Sequence, residues 1–209
     1  MKRVFSILSL VLVCSLSAKA QDFPKAEVFG GYSYLRADRV NFNGWNASVA
    51  GNLNSWFGLV ADFSGHYDSA STRSEFTFPG FPGIPPFPGS STIVKSEASF
   101  HTFLAGPRFS YRKNERITPF AHVLLGASRR HIDSEVDFGV LGRTFFSLNN
   151  TAFTAALGGG LDVAISKNIA LRVVQADYML TRNTLARSFG DTRSNGRVSI
   201  GLVFRFGNK

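Results

Sequence analysis

Polar and apolar residues alternate with period two along most of this chain, the signature of strands with two unlike faces. The clearest stretch runs from Trp45 to Leu53, with Trp45, Ala47, Val49, Gly51 and Leu53 on one face and Asn46, Ser48, Ala50 and Asn52 on the other. A second runs from Phe57 to Tyr67, and only Asn54, Ser55 and their neighbours separate the two, which predicts a hairpin. The last stretch, Arg197 to Phe206, sets Val198, Ile200, Leu202, Phe204 and Phe206 against Arg197, Ser199, Gly201, Val203 and Arg205. Weaker alternation covers residues 26–36, 96–110, 118–130, 151–164 and 169–181, which makes eight strands. Each is about ten to fifteen residues long, enough for a tilted strand to cross a bilayer.

The connections alternate in length. Those near 54–55, 111–117 and 165–168 are short; those at 37–42, 68–95, 131–150 and 182–195 are mostly long and polar or irregular. Short turns on the periplasmic side and long loops outside place both chain ends in the periplasm, as an even number of strands requires. The longest loop holds Phe78–Gly89, FPGFPGIPPFPG, whose prolines at 79, 82, 85, 86 and 88 exclude helix and paired strand. Its phenylalanines 76, 78, 81 and 87 leave three roles open: folding over the barrel mouth, touching the outer leaflet, or binding a partner.

Alternation alone does not say which face points outward, because a soluble lipocalin-like barrel shows the same period with its apolar face inside. The less apolar face decides. It carries Gly44, Asn46, Ser48, Ala50 and Asn52 in one strand and Thr154, Ala156, Gly158, Gly160 and Asp162 in another, where a soluble exterior would carry Lys and Glu. Small residues suit the cramped lumen of an eight-stranded barrel. Tyr32, Tyr34, Trp45, Trp56, Tyr67, Tyr111, Tyr178 and Phe206 fall near strand ends, where amphipathic rings form a girdle at the headgroup level. The expected fold is therefore all-β: an eight-stranded antiparallel up-and-down transmembrane barrel. An exported soluble ligand-binding barrel is the alternative.

Composition adds the route of export. Lys2 and Arg3, an apolar stretch from Val4 to Leu16 and the small-x-small site Ala18-Lys19-Ala20 describe a signal peptide over residues 1–20, leaving residues 21–209 as the barrel domain. Cleavage would remove Cys14, the only cysteine, and would lower the net charge from +9 to +6 through loss of Lys2, Arg3 and Lys19. The mature chain would then hold no disulfide and no cysteine-based metal site. Without a Lys/Arg run or an aromatic-basic motif, no nucleic-acid partner is expected.

Candidate chemistry is sparse. Asp62, Ser64 and His66 share one strand face, but side chains two apart in a strand stand about 6.6–6.8 Å from each other, too far for a catalytic triad. A lumen network is the expectation instead. A one-residue bulge at Val173-Val174 would turn Arg172, Gln175 and Asp177 inward together. With Glu27, Asp62, Arg108, His122, Asp162, Arg197 and Arg205 they would form a charge-paired structural plug, since unpaired charges there are costly. The phase of residues 96–105 leaves the facing of His101 open, and His131 is expected in a solvated loop. No histidine has metal-ligand spacing, and no catalytic residue, metal or cofactor is expected.

These features resemble the small outer-membrane β-barrel domain family of Gram-negative bacteria, the OmpA/OmpX-like eight-stranded barrels, across residues 24–207. The resemblance rests on VFGGYSYLR at 28–36, FLAGPRFSYR at 103–112, TPFAHVLLGA at 118–127, the stretch 158–182 and VSIGLVFRFG at 198–207. It implies a place in the outer membrane, contact with outer-membrane lipid and lipopolysaccharide, and insertion by the barrel-assembly machinery. It also implies a non-enzymatic role in envelope integrity or adhesion through extracellular loops, with a lipid-modifying barrel enzyme as the alternative. Two departures stand out. Phe206 is followed by Gly207, Asn208 and Lys209, so the aromatic assembly signal is slightly internal, and no peptidoglycan-binding domain follows, so the anchoring role of two-domain relatives does not carry over.

Overall fold

A computed structural model of the protein describes residues 23–37, 40–76, 90–114, 116–137, 142–182 and 192–207. The expected signal peptide and the Phe78–Gly89 segment lie outside the described residues. Eight strands follow one another: β1 (Ala26–Ala37), β2 (Val40–Asn52), β3 (Phe57–Phe76), β4 (Ser90–Ser110), β5 (Ile117–Asp137), β6 (Arg143–Ala164), β7 (Ile169–Arg182) and β8 (Thr192–Phe206). Each pairs antiparallel with the next, and β8 returns to β1 from Ala26↔Phe206 to Ala37↔Asn195, closing the barrel. Closure leaves no strand edge inside the bilayer, where each unpaired backbone group would cost several kcal/mol.

Three tight turns hold one end. Asn54 Oδ1 accepts from the backbone N–H of Trp56 (3.0 Å) and Phe57 (2.7 Å), and Asn114 Oδ1 accepts from Arg116 (2.8 Å) and Ile117 (3.2 Å). Ser166 Oγ accepts in the same way from Ile169, at 3.1 Å. Short side chains that bond the backbone two or three residues on are what these turns need.

At the other end the loops are shorter than the sequence suggests. Residues 37–42 belong mostly to a β1–β2 hairpin paired from Ala37↔Val40. The region 68–95 is largely paired strand, Asp68–Phe76 against Ser90–Ala98, and 131–150 pairs from His131↔Asn149 to Asp137↔Arg143. Residues 192–195 open β8. Strands β3 to β6 thus continue past the last β2 pairing, Asn43↔Tyr67, as a sheet standing above the barrel mouth. His131 lies in this sheet, not in a loop, and bonds Asn149 and Asp133 at 2.7 Å each.

Facing follows the alternation. Val49, Leu59, Phe63, Leu125, Phe153, Ile200 and Phe204 are exposed on the outside, while Asn46, Ser48, Asp62, Thr154 and Asp162 are buried inside. The apolar exterior excludes the soluble-barrel alternative. The lumen is not solely small and polar, however. Leu35, Phe42, Phe100, Leu104, Leu124 and Met179 also point inward and pack together with Val60 and several alanines.

Candidate functional site

Within the lumen, charged residues form one connected chain. Glu27 sits one position into β1 and meets Arg108 from β4 at 2.9 Å. Arg108 reaches Asp162 of β6 at 3.1 Å, and Asp162 takes two donors from Arg172 of β7, at 2.8 and 3.1 Å. Arg172 also donates to Gln175 Oε1 (2.7 Å), whose Nε2 donates to Asp177 (2.9 Å). Asp177 accepts from Arg197 of β8 at 2.7 and 2.9 Å and lies 2.7 Å from His122 Nε2. Arg197 then crosses to Asp62 at 2.7 Å, which holds Asn46 Nδ2 at 2.9 Å. Carboxylates and guanidiniums alternate along the chain, which is how buried ions offset their desolvation.

Two local features make this possible. Strand register slips between Arg172 and Gln175, where Val173 and Val174 both face outward, and the bulge turns Arg172, Gln175 and Asp177 to the same side. Gly158 and Gly160 clear the adjoining strand: a Cβ at Gly158, which pairs with Asp177, would collide with Asp177 Oδ1, and one at Gly160 would come within 2.7 Å of the Phe120 ring. Phe120 needs that space, because Arg108 and Arg172 lie 4.1 and 4.4 Å from its centroid, and Arg172 lies 4.3 Å from Phe29. Stacking on rings gives the planar guanidinium faces apolar cover while their edges stay free for carboxylates.

The sequence-derived residues divide into separate groups. Asp62, Arg108, His122, Asp162, Arg172, Gln175, Asp177 and Arg197 join the ionic chain, and Arg205 approaches Glu27 only to 3.6 Å. Ser64 and His66 do not join it. Ser64 bonds Thr102 (2.6 Å), and His66 bonds Ser33 (2.9 Å), which accepts from Ser199 (2.9 Å). Asp62, Ser64 and His66 therefore turn to three different partners and form no relay. The alternation did not single out Asn46 or Arg112 for this network, nor the rings of Phe29 and Phe120. Asn46 lay on the predicted inner face, so its phase was the available signal.

Outside, Tyr32, Trp45, Trp56, Tyr67, Tyr111, Tyr178 and Phe206 are all exposed, and Tyr34 is half-buried. Trp56 stacks on Phe109 with centroids 6.0 Å apart beside the first turn. Tyr67 meets outward-facing His101 at 3.2 Å, which settles the phase of that stretch.

A closed eight-stranded barrel, apolar outside and ion-paired inside, has a clear counterpart among family models. The model described as outer membrane protein beta-barrel domain matches residues 6–206. The chain belongs to that family. This outer-membrane barrel also resembles solved structures of Ail, the attachment invasion locus protein of Yersinia pestis. In complex with the heparin analogue sucrose octasulfate, Ail aligns at 18% identity and TM-score 0.52, over 89% of this chain and 99% of Ail. A second Ail structure aligns at 18% identity and TM-score 0.50 over the same shares. At that identity the likeness speaks for the fold alone. No curated protein matches the chain.

Proposed function

We propose that this outer-membrane barrel is a non-enzymatic anchor that carries a rigid sheet at the cell surface, acting in adhesion or envelope integrity. The observation that carries the reading is the division of the molecule into a filled lumen and a protruding sheet. Arg108, Arg172, Arg197, Phe29, Phe42 and Leu124 are among the side chains shielded from solvent in the lumen. Eight strands enclose space that side chains nearly fill, which disfavours a pore. Above the mouth, strands β3 to β6 stay paired as far as Phe76↔Ser90 and Asp137↔Arg143. Phe146 and Leu148 share one face of that sheet at 57% and 67% exposed, with Phe145 on the other at 72%, and exposed apolar side chains grouped on a face mark interaction sites.

The name of Ail as an attachment protein supports the same direction. Outer-membrane lipid and lipopolysaccharide surround the barrel in this reading, with Tyr32, Tyr34, Trp45, Trp56, Tyr67, Tyr111, Tyr178 and Phe206 as its interfacial girdle. The ionic lumen chain is a structural plug. Residues 1–20 are a cleaved signal peptide, and the barrel-assembly machinery reads the strand ending in Phe206. The test replaces residues 131–149 by a short turn in cells that display the protein. Loss of surface attachment, with the heat-dependent gel mobility of a folded barrel retained, supports the reading; unchanged attachment and intact envelope resistance refute it. Altered lipid A mass profiles on removing the protein would favour the enzyme instead.

A further inference from the structure

We propose that the outer wall of β3, β4 and β5, just above the apolar belt, docks the headgroup of a phosphorylated glycolipid of the outer leaflet: Arg129 holds a phosphate, and the cleft beside Tyr67 holds the adjoining uncharged sugar. The proposal rests on the reading of the chain as a barrel surrounded by lipopolysaccharide and names the residues that would select that lipid.

The layering is visible along one strand. Outward positions of β5 run Val123, Leu125, Ala127, Arg129, His131 and Asp133, each about 6.6–6.8 Å above the last. Val123 and Leu125 are exposed apolar side chains of the lipid-facing belt, and Arg129 is the first charge above them. It is exposed, stands opposite His101 of β4 and Thr151 of β6, and meets no carboxylate among the described residues. A free guanidinium at the rim of an apolar belt meets headgroups, and one edge of it takes two phosphate oxygens at once.

The cleft begins one outward position higher. Register sets Tyr67, Ser99 and His131 side by side, with Ser69, Glu97 and Asp133 in the next row. These six help to line a cleft of about 380 Å³, room enough for a small ligand, whose sites measure about 300–1,000 Å³. Tyr67 is 50% exposed, so its ring offers an apolar face to the C–H side of a sugar. The hydroxyls of Ser69 and Ser99 have no side-chain partner among the described residues. Glu97 and Asp133 face each other directly across the β4–β5 pairing, a like-charge arrangement that costs stability. Asp133 Oδ2 lies 2.7 Å from His131 Nε2, whereas Glu97 has no partner among the described residues. Two carboxylates repel a phosphate and accept hydrogen bonds from sugar hydroxyls. The phosphate therefore belongs at Arg129 and the sugar in the cleft.

The full chain, folded in uncharged micelles and checked for the heat-dependent gel mobility of a closed barrel, is followed by native mass spectrometry with lipid A, with lipid A stripped of its phosphates, and with phosphatidylglycerol. Expected is retention of lipid A at concentrations where neither of the other two stays bound. Arg129→Gln should weaken lipid A roughly tenfold, through loss of a charge-assisted bond. Glu97→Ala separates sugar contact from charge: it should weaken lipid A and leave phosphatidylglycerol no weaker, whereas mere removal of a repelling carboxylate would strengthen both. Lys113→Gln, at the periplasmic turn, should change neither. Equal retention of lipid A and phosphatidylglycerol, or stronger lipid A binding in Glu97→Ala, overturns the proposal with the barrel intact. A chain that never shows heat-dependent mobility overturns both the proposal and the reading beneath it.

Discussion

Replacing Arg197 by Met should destabilise the barrel more than any other single change in the lumen. The guanidinium bridges Asp62 and Asp177 at 2.7 Å each, with a further bond to Asp177 at 2.9 Å, and all three side chains are at most 2% exposed. Methionine fills much of the same volume, so little of the loss is packing. Left behind are two buried carboxylates. Asp177 keeps Gln175 and His122, whereas Asp62 keeps Asn46, a neutral donor. Removing one partner of a buried ion pair typically costs about 3–5 kcal/mol, and sharing between two carboxylates puts this case at the upper end. The assay is urea unfolding of the barrel in lipid vesicles, read by the midpoint at constant slope. A control separates charge from shape: Arg197→Met combined with Asp62→Asn and Asp177→Asn removes all three charges and should recover at least half of the loss, because neutral replacements of buried pairs are often tolerated. A single-variant cost under about 1 kcal/mol, the size of an exposed pair, would refute the claim that this network is dry and tightly coupled. So would a triple variant less stable than the single one.

Two further predictions concern the walls. Gly158→Ala should cost about 1–3 kcal/mol, the usual penalty of overpacking, because its Cβ meets Asp177 and the Ala176 carbonyl; Gly30→Ala, with open space at its Cβ, should be neutral in the same urea titration. Leu125→Arg, on the exposed outer face, should cost about 2–4 kcal/mol in a bilayer. Ser147→Arg, exposed above the apolar belt, should fall within about 0.5 kcal/mol of the parent, as surface substitutions do.

The barrel itself was legible because hydrocarbon imposes a strict rule. Every outward position between the aromatic ends must be apolar, so alternation marks the strands, and the short turns at 53–56 and 165–168 mark their periplasmic ends. That rule lapses above the membrane. Asp68–Arg73 and Asp133–Asp137 face water or the polar mouth, alternation fades, and paired strand there looks like loop. Inward apolar residues were hidden for a different reason. Val123-Leu124-Leu125 and Tyr178-Met179-Leu180 are unbroken apolar runs, in which the middle member points inward without a polar residue to mark the phase. In the lumen, identities were readable and partnerships were not. Arg197 and Asp62 are 135 residues apart, and only the shear of the closed sheet brings them within 2.7 Å. His66 and Ser64 shared the face of Asp62, but Ser64 stands opposite Thr102 and His66 reaches Ser33 across Gly44, so the local geometry gave them those hydroxyls instead.

The central claim is that lipid tails touch one face of each strand and not the other. The direct test is paramagnetic relaxation of methyl and aromatic resonances by a lipid carrying a nitroxide near the end of its acyl chain. The account predicts strong broadening at Val123, Leu125, Phe153 and Leu157, and sharp signals at Leu35, Leu124 and Met179. Broadening of the second set with the first set spared would contradict it.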